Sequence, residues 1–111
     1  MTIREAAAML GAEILQDDFE DLPLKGAYTS DLLSDVMANA KEGGALITIQ
    51  AHKNTVAVAT LVNISLIILC NNRPVQDNDM LSAAKDEGIA VIRTKENQFA
   101  VSGKLYAAIK N

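Results

Sequence analysis

The chain predicts an α/β fold: a layered α/β/α domain built on a mainly parallel central sheet. Three observations carry that expectation. Ser65–Cys70 (SLIILC) is a short run, apolar throughout after Ser65 and carrying two β-branched residues, the pattern of a strand covered on both faces. Ala45–Ile49 and Ile89–Ile92 are runs of the same kind. Between and after them lie helix-length segments punctuated by glycines and capping residues, which suits right-handed crossovers between parallel strands.

Taken in order, Thr2 and Glu5 stand at capping-box spacing and Gly11 falls just past the end of the helix they open. Ala12–Leu15 follows as a short strand. Gln16–Tyr28 is acidic, contains Pro23 and Gly26, and reads as irregular with a short edge strand around Leu22–Leu24. A helix capped by Thr29, Ser30 or Asp31 runs to about Lys41, with Leu32, Leu33, Val36, Met37 and Ala40 at helical spacing and Gly43-Gly44 as its stop. Strand Ala45–Ile49 leads to a helix over Asn54–Leu61, although TVAVATLV would also serve as a strand. Strand Leu66–Cys70 leads to a helix over Asp79–Glu87, capped by Asp77 or Asn78 and stopped by Gly88. Strand Ile89–Ile92 leads to a closing helix over Lys95–Lys110.

At 111 residues the chain reads as one domain, 1–111, large enough for a single core. Half of it is apolar, yet it has two Phe, two Tyr and no Trp, so the core is built from Ala, Val, Ile and Leu. A net charge of −4 with scattered Lys and Arg argues against a nucleic-acid surface and against membrane attraction through basic residues. No stretch approaches the ~20 apolar residues of a membrane span. The opening reads as a helix rather than a secretory signal, because Glu5 and Glu13 interrupt what would be its basic and apolar parts. A single cysteine makes no internal disulfide, which fits a reducing cytoplasm.

Polar residues gather after the carboxyl ends of the three apolar strands, where open α/β sheets place their ligands. His52 and Lys53 follow the first, Asn71, Asn72 and Arg73 the second, and Thr94 and Lys95 the third. His52, Lys53, Arg73 and Lys95 carry or can carry positive charge, which favours an anionic group, either a small effector's or a partner's. Asn tolerates φ > 0, so Asn71-Asn72 can form a tight strand-to-helix turn whose amides hold an anion; the plainer alternative is a turn beside a solvated arginine. Cys70 with His52 could be a nucleophile and base, but a free cysteine ending an apolar strand is ordinarily a small buried hydrophobe. One His and one Cys fall short of a metal's ligand count. No glycine-rich phosphate motif follows a strand, and no cofactor is implied.

Leu69-Cys70-Asn71-Asn72 with Pro74, Asp31-Leu32-Leu33-Ser34-Asp35-Val36-Met37 and Gly88-Ile89-Ala90-Val91-Ile92 together resemble the DRTGG-domain family over roughly Thr2 to Ile109. That family includes regulatory domains attached to some bacterial phosphotransacetylases and to CBS-domain proteins, and is akin to the N-terminal domain of HPr kinase/phosphorylase. The Leu-Leu-Ser and Val-Met residues are similar to small stand-alone members encoded beside iron-only hydrogenases. The name motif departs here: His52-Lys53 stands in place of Asp-Arg, and Cys70-Asn71-Asn72 in place of Thr-Gly-Gly. The resemblance implies regulation or binding, not catalysis, or an accessory role for a redox-enzyme partner such as such a hydrogenase. A Cys70-dependent enzyme is the remaining alternative. The helices at Ser30–Lys41 and Lys95–Lys110 carry more apolar residues than one face needs, which predicts a homodimer.

Overall fold

The computed structural model describes residues 1–109. The elements run α1 (Ile3–Leu10), β1 (Glu13–Gln16), β2 (Ala27–Thr29), α2 (Leu33–Asn39), β3 (Ala45–Thr48), α3 (Lys53–Leu61), β4 (Leu66–Leu69), α4 (Asp79–Glu87), β5 (Ala90–Arg93) and α5 (Gln98–Ile109). One five-stranded sheet has the order β1-β5-β4-β3-β2. β2, β3, β4 and β5 run parallel to one another, and β1 pairs antiparallel with β5 at one edge. The three apolar runs of the sequence are the three central strands, as expected.

Alternation along each central strand sorts the core into two layers. Leu66, Ile68 and Cys70 face α1 and α5, together with Ile47 and Ile92. Ile67 and Leu69 face α2, α3 and α4, together with Leu46 and Val91. The β4 residues Leu66–Leu69 are fully buried. This is what a continuous apolar run without polar interruptions means physically: neither face of the strand meets water.

Local signals set most boundaries. Thr2 Oγ1 accepts from Glu5 N at 3.3 Å while Thr2 N donates to Glu5 Oε1 at 2.8 Å, closing the capping box of α1. Gly11 and Gly88 end α1 and α4 in the left-handed conformation. α3 is a helix and not a strand. Thr55, Val56 and Ala59 are its buried residues, a helical spacing, and a connection between the parallel strands β3 and β4 has to cross over the sheet. Gly44 lies where β2 and β3 begin, and a Cβ there would sit 2.8 Å from the Gly26 carbonyl oxygen, so the close approach of the two strands requires glycine.

Four expectations are corrected. The edge strand is Ala27–Thr29, not Leu22–Leu24. The latter segment instead pairs with the chain start, through Leu24 N to Met1 O at 2.8 Å and Ile3 N to Leu22 O at 3.1 Å. α2 is shorter than Ser30–Lys41, and none of the proposed caps closes it: Leu32 is the N-cap position, without a side-chain bond. Asp31 is drawn away to β3, as described below. α5 begins at Gln98 rather than Lys95, because Asn97 Oδ1 takes the Ala100 amide at 2.9 Å and the preceding turn is bonded to the loop after β4. Its expected end at Lys110 lies outside the described residues. Other boundaries differ from expectation by about a residue, as strand and helix ends commonly do. No helix among the described residues is long and apolar enough to cross a membrane.

Candidate functional site

The carboxyl ends of β2, β3, β4 and β5 lie on one edge of the sheet, and the loops that leave them are stitched together. Asn71 and Asn72 have φ of 59° and 52°, the left-handed conformation that asparagine tolerates. This turns the chain back toward β5. The Asn71 amide donates to Glu96 O at 2.9 Å and the Asn72 amide to Thr94 O at 2.8 Å. Arg73 N donates to Cys70 O at 3.2 Å, and Gln76 N reaches Ala51 O at 2.8 Å in the loop after β3. The loop amides are thus bonded to neighbouring carbonyls, and what the loop offers outward is side chains: Asn71, Asn72 and Arg73 are all exposed.

The other rim residues divide by role. Thr94 is buried, accepts from Glu96 N at 3.2 Å and donates to Leu10 O at 3.5 Å, so it ties β5 to α1. Lys95 is exposed, and with Asn72, Thr94, Arg93 and Gly11 it borders a cleft of about 320 Å³. His52 is half-buried at the start of α3, its Nε2 3.1 Å from Gln50 Oε1. Lys53 is exposed on the first turn of α3. Asn72, Thr94 and Lys95 therefore come together, while His52 and Lys53 stand farther along the same edge, beyond the β4 loop.

Two acidic residues that sequence reasoning placed elsewhere or passed over belong to this edge. Asp31 Oδ1 accepts from Thr48 Oγ1 at 2.9 Å, Ile49 N at 2.9 Å and Gln98 Nε2 at 3.0 Å, and its carbonyl accepts from Gln50 Nε2 at 3.0 Å. Glu96 pairs with Lys104 at 2.5 Å, leaving its Oε2 buried without a hydrogen-bond partner. The rim is thus mixed in sign. No pattern in the sequence marks either residue as part of the rim, because the Asp31 carboxylate acts on β3 and α5, and Glu96 is tied to the rim by its backbone carbonyl, which accepts from Asn71 N.

Cys70 feels the charge of both carboxylates, and its chemistry follows. It is fully buried, with Sγ 4.0 Å from Ile68 O. Among the described residues no hydrogen bond joins it to His52. Burial first, then the negative charges of Asp31 and Glu96, push its thiol from 9.0 up to about 11. That opposes thiolate formation, the requirement for a nucleophile. A raised native value also has a stability consequence. The folded chain keeps a proton that the unfolded chain gives up, so the contribution is whole below about pH 9 and is lost as pH rises toward 11. The loss across that window is on the order of 2–3 kcal/mol. Denaturant midpoints of the native protein should fall more steeply over this range than those of Cys70→Ala; parallel slopes would show that another group is responsible.

A second cleft, of about 490 Å³, opens between β2 and α5 and runs along β2 from Lys25 to Thr29. Lys25, Lys41, Ser102 and Tyr106 line it, and among the described residues no carboxylate does. Among the described residues no cluster of three or more His, Cys, Asp or Glu side chains could hold a metal.

The sequence matches no protein-family model and no curated protein. The fold, however, superimposes on a solved structure of the CBS and DRTGG domains of the regulatory region of Clostridium perfringens pyrophosphatase, complexed with the activator diadenosine tetraphosphate. The TM-score is 0.70 over 94% of this chain, at 17% sequence identity. The chain has a DRTGG-like fold. It spans 45% of the chain it resembles. At this identity the fold is what the two share, and the DRTGG-like domain described here has its own rim, with His52-Lys53 and Cys70-Asn71-Asn72 at the strand ends.

Proposed function

We propose that this DRTGG-like domain is a cytoplasmic regulatory module, without catalysis of its own, that recognises a small anionic effector at the carboxyl-end rim and works as a homodimer. One observation carries the reading. Lys53, Arg73 and Lys95 are exposed on the edge where α/β sheets bind ligands, and none has an ion-pair partner among the described residues. Arg4, Arg93 and Lys104, by contrast, are each paired with a carboxylate. Uncompensated cations on a chain of net charge −4 favour an anion locally even where the whole molecule does not. The regulatory region that shares this fold over 45% of its chain was solved with the activator diadenosine tetraphosphate, which supports the same ligand class.

Diadenosine tetraphosphate is the probe for a titration of native protein and Arg73→Ala. A charge-assisted hydrogen bond from Arg73 predicts a loss of about 1.5–3 kcal/mol in binding, roughly 10- to 150-fold in Kd, with an unchanged fold because Arg73 is exposed. Equal affinity for both proteins would place binding off this rim. The Lys25/Lys41 cleft is a second reading of the location, favoured by its two cations and the lack of a lining carboxylate among the described residues. Loss of binding in Lys25→Ala/Lys41→Ala but not in Arg73→Ala would select it. The resemblance to members encoded beside iron-only hydrogenases supports a redox-enzyme partner for the same module, and a gene neighbourhood without a hydrogenase would remove that support.

A further inference from the structure

The sheet has two edges, and the chain treats them differently. β1 is guarded: its pairing with β5 is irregular between Ile14 and Gln16, and it begins at Glu13, ion-paired with Arg93 at 2.9 Å. Bulges and charges are how proteins keep an edge from recruiting another strand. β2 is Ala27-Tyr28-Thr29, with no charge, no proline and a regular register along β3. Ala45 N donates to Gly26 O at 3.0 Å and Ser30 N to Ile47 O at 3.2 Å. The even-numbered residues therefore face β3, and the N–H and C=O of Ala27 and Thr29 point out of the sheet.

Both layers leave apolar side chains uncovered beside this edge. Thr29 Oγ1 lies 2.6 Å from Ser102 Oγ, which places α5 against β2 on one face. The Tyr28 hydroxyl donates to Asp35 Oδ2 at 2.8 Å, which places α2 against it on the other. α5 exposes Phe99 (88%) and Tyr106 (71%), two helical turns apart and so on one side of the helix. Leu32 (65%) and Met37 (50%) are exposed at and on α2.

We propose that two copies of this chain associate through β2, antiparallel about a two-fold axis at Tyr28, so that one sheet of ten strands runs through the pair. This inference rests on the homodimer reading above and supplies its surface. The register follows from parity. With the axis at Tyr28, Ala27 of one copy meets Thr29 of the other, and both are the residues whose backbone groups point outward. Two hydrogen-bonded pairs form, four bonds in all, on either side of a non-bonded Tyr28–Tyr28 pair. The same register sets Lys25 opposite Asp31 of the second copy, twice, so the charges are complementary. A stable interface needs about 800 Å² from each partner. Aromatic side chains bury about 150–250 Å² apiece, so Phe99 and Tyr106 supply a large part of it.

Light scattering of the whole chain at tens of micromolar should give the dimer mass. Ala27→Pro removes an amide hydrogen that β3 does not use and blocks the new pairing, so its mass should halve while its circular dichroism spectrum stays native. Tyr28→Cys places two thiols across the axis at the close spacing of a non-hydrogen-bonded pair, and mild oxidation should convert the dimer to a covalent one. Cys70 is fully buried and does not compete. A folded Ala27→Pro that stays dimeric, or a dimeric Tyr28→Cys that does not cross-link, overturns pairing through β2 while leaving the homodimer intact. A native protein of monomer mass overturns both.

Discussion

Ile68→Ala is expected to lose about 4 kcal/mol of folding stability, a large fraction of the 5–15 kcal/mol that holds a domain together. The reason lies in where the strand order puts it. β4 is the middle strand, with β3 and β5 hydrogen-bonded on either side, and Ile68 lies in register with Ile47 and Ile92. All three side chains point to the layer that α1 and α5 close with Ile3, Leu10, Val101 and Leu105. Truncation there leaves a hole bounded on every side by fixed strands and two helices, which cannot collapse to fill it, and the cavity adds to the lost transfer free energy. Leu61→Ala is the control. Leu61 is 70% exposed at the end of α3, and its truncation should fall within about 0.5 kcal/mol of the native protein. Urea denaturation of the three proteins checks this, and an Ile68→Ala cost below about 1.5 kcal/mol would mean the layer repacks.

What the sequence discloses and what it hides divide along the range of the interactions involved. The central strands are legible because burial on both faces is written into contiguous residues. The capping box at Thr2 and Glu5 and the left-handed stops at Gly11 and Gly88 are legible because each acts within one turn. The left-handed turn at Asn71-Asn72 follows from the residue type. β2 is not legible: a three-residue strand has too little alternation to show a period, and Leu22–Leu24 is the more apolar segment. It goes to the chain start because Met1 and Ile3 offer it backbone partners, a fact of tertiary structure. The antiparallel direction of β1 and the late start of α5 are hidden for the same reason. At the rim, exposed cations can be placed by counting residues past a strand. The carboxylates of Asp31 and Glu96 cannot, since Asp31 joins the site through contact with Thr48 and Gln98, and Glu96 is brought there by its backbone carbonyl, which accepts from the Asn71 amide of the β4 loop. Asp31 has the composition and position of a helix cap, and the nearby β3 amide outcompetes α2 for it.

Removing that carboxylate should be costly, and in a way that separates its two effects. One oxygen of Asp31 holds a hydroxyl from β3, the amide just past β3 and a side chain from α5, so three elements depend on it at one point. Hydrogen bonds to a charged acceptor contribute about 1.5–3 kcal/mol each. They are not additive here, because Asp31 is half-buried and water can reach part of what it leaves. Asp31→Ala is expected to cost about 3 kcal/mol and Asp31→Asn about 1 kcal/mol, since the amide oxygen still accepts while the charge is gone. The thiol of Cys70 reports the charge alone. Burial is the first cause of its rise to about 11, and the Asp31 charge is the next, so both variants should titrate Cys70 at lower pH than the native protein does. Stability and thiol titration then move differently: alanine and asparagine differ in the first and agree in the second. If Asp31→Ala cost less than about 1 kcal/mol, the carboxylate would be an ordinary solvated one and the junction of β2, β3 and α5 would be held by packing. If stability fell while the thiol stayed at about 11, the hydrogen bonds would be as described and the negative field on Cys70 would come from Glu96.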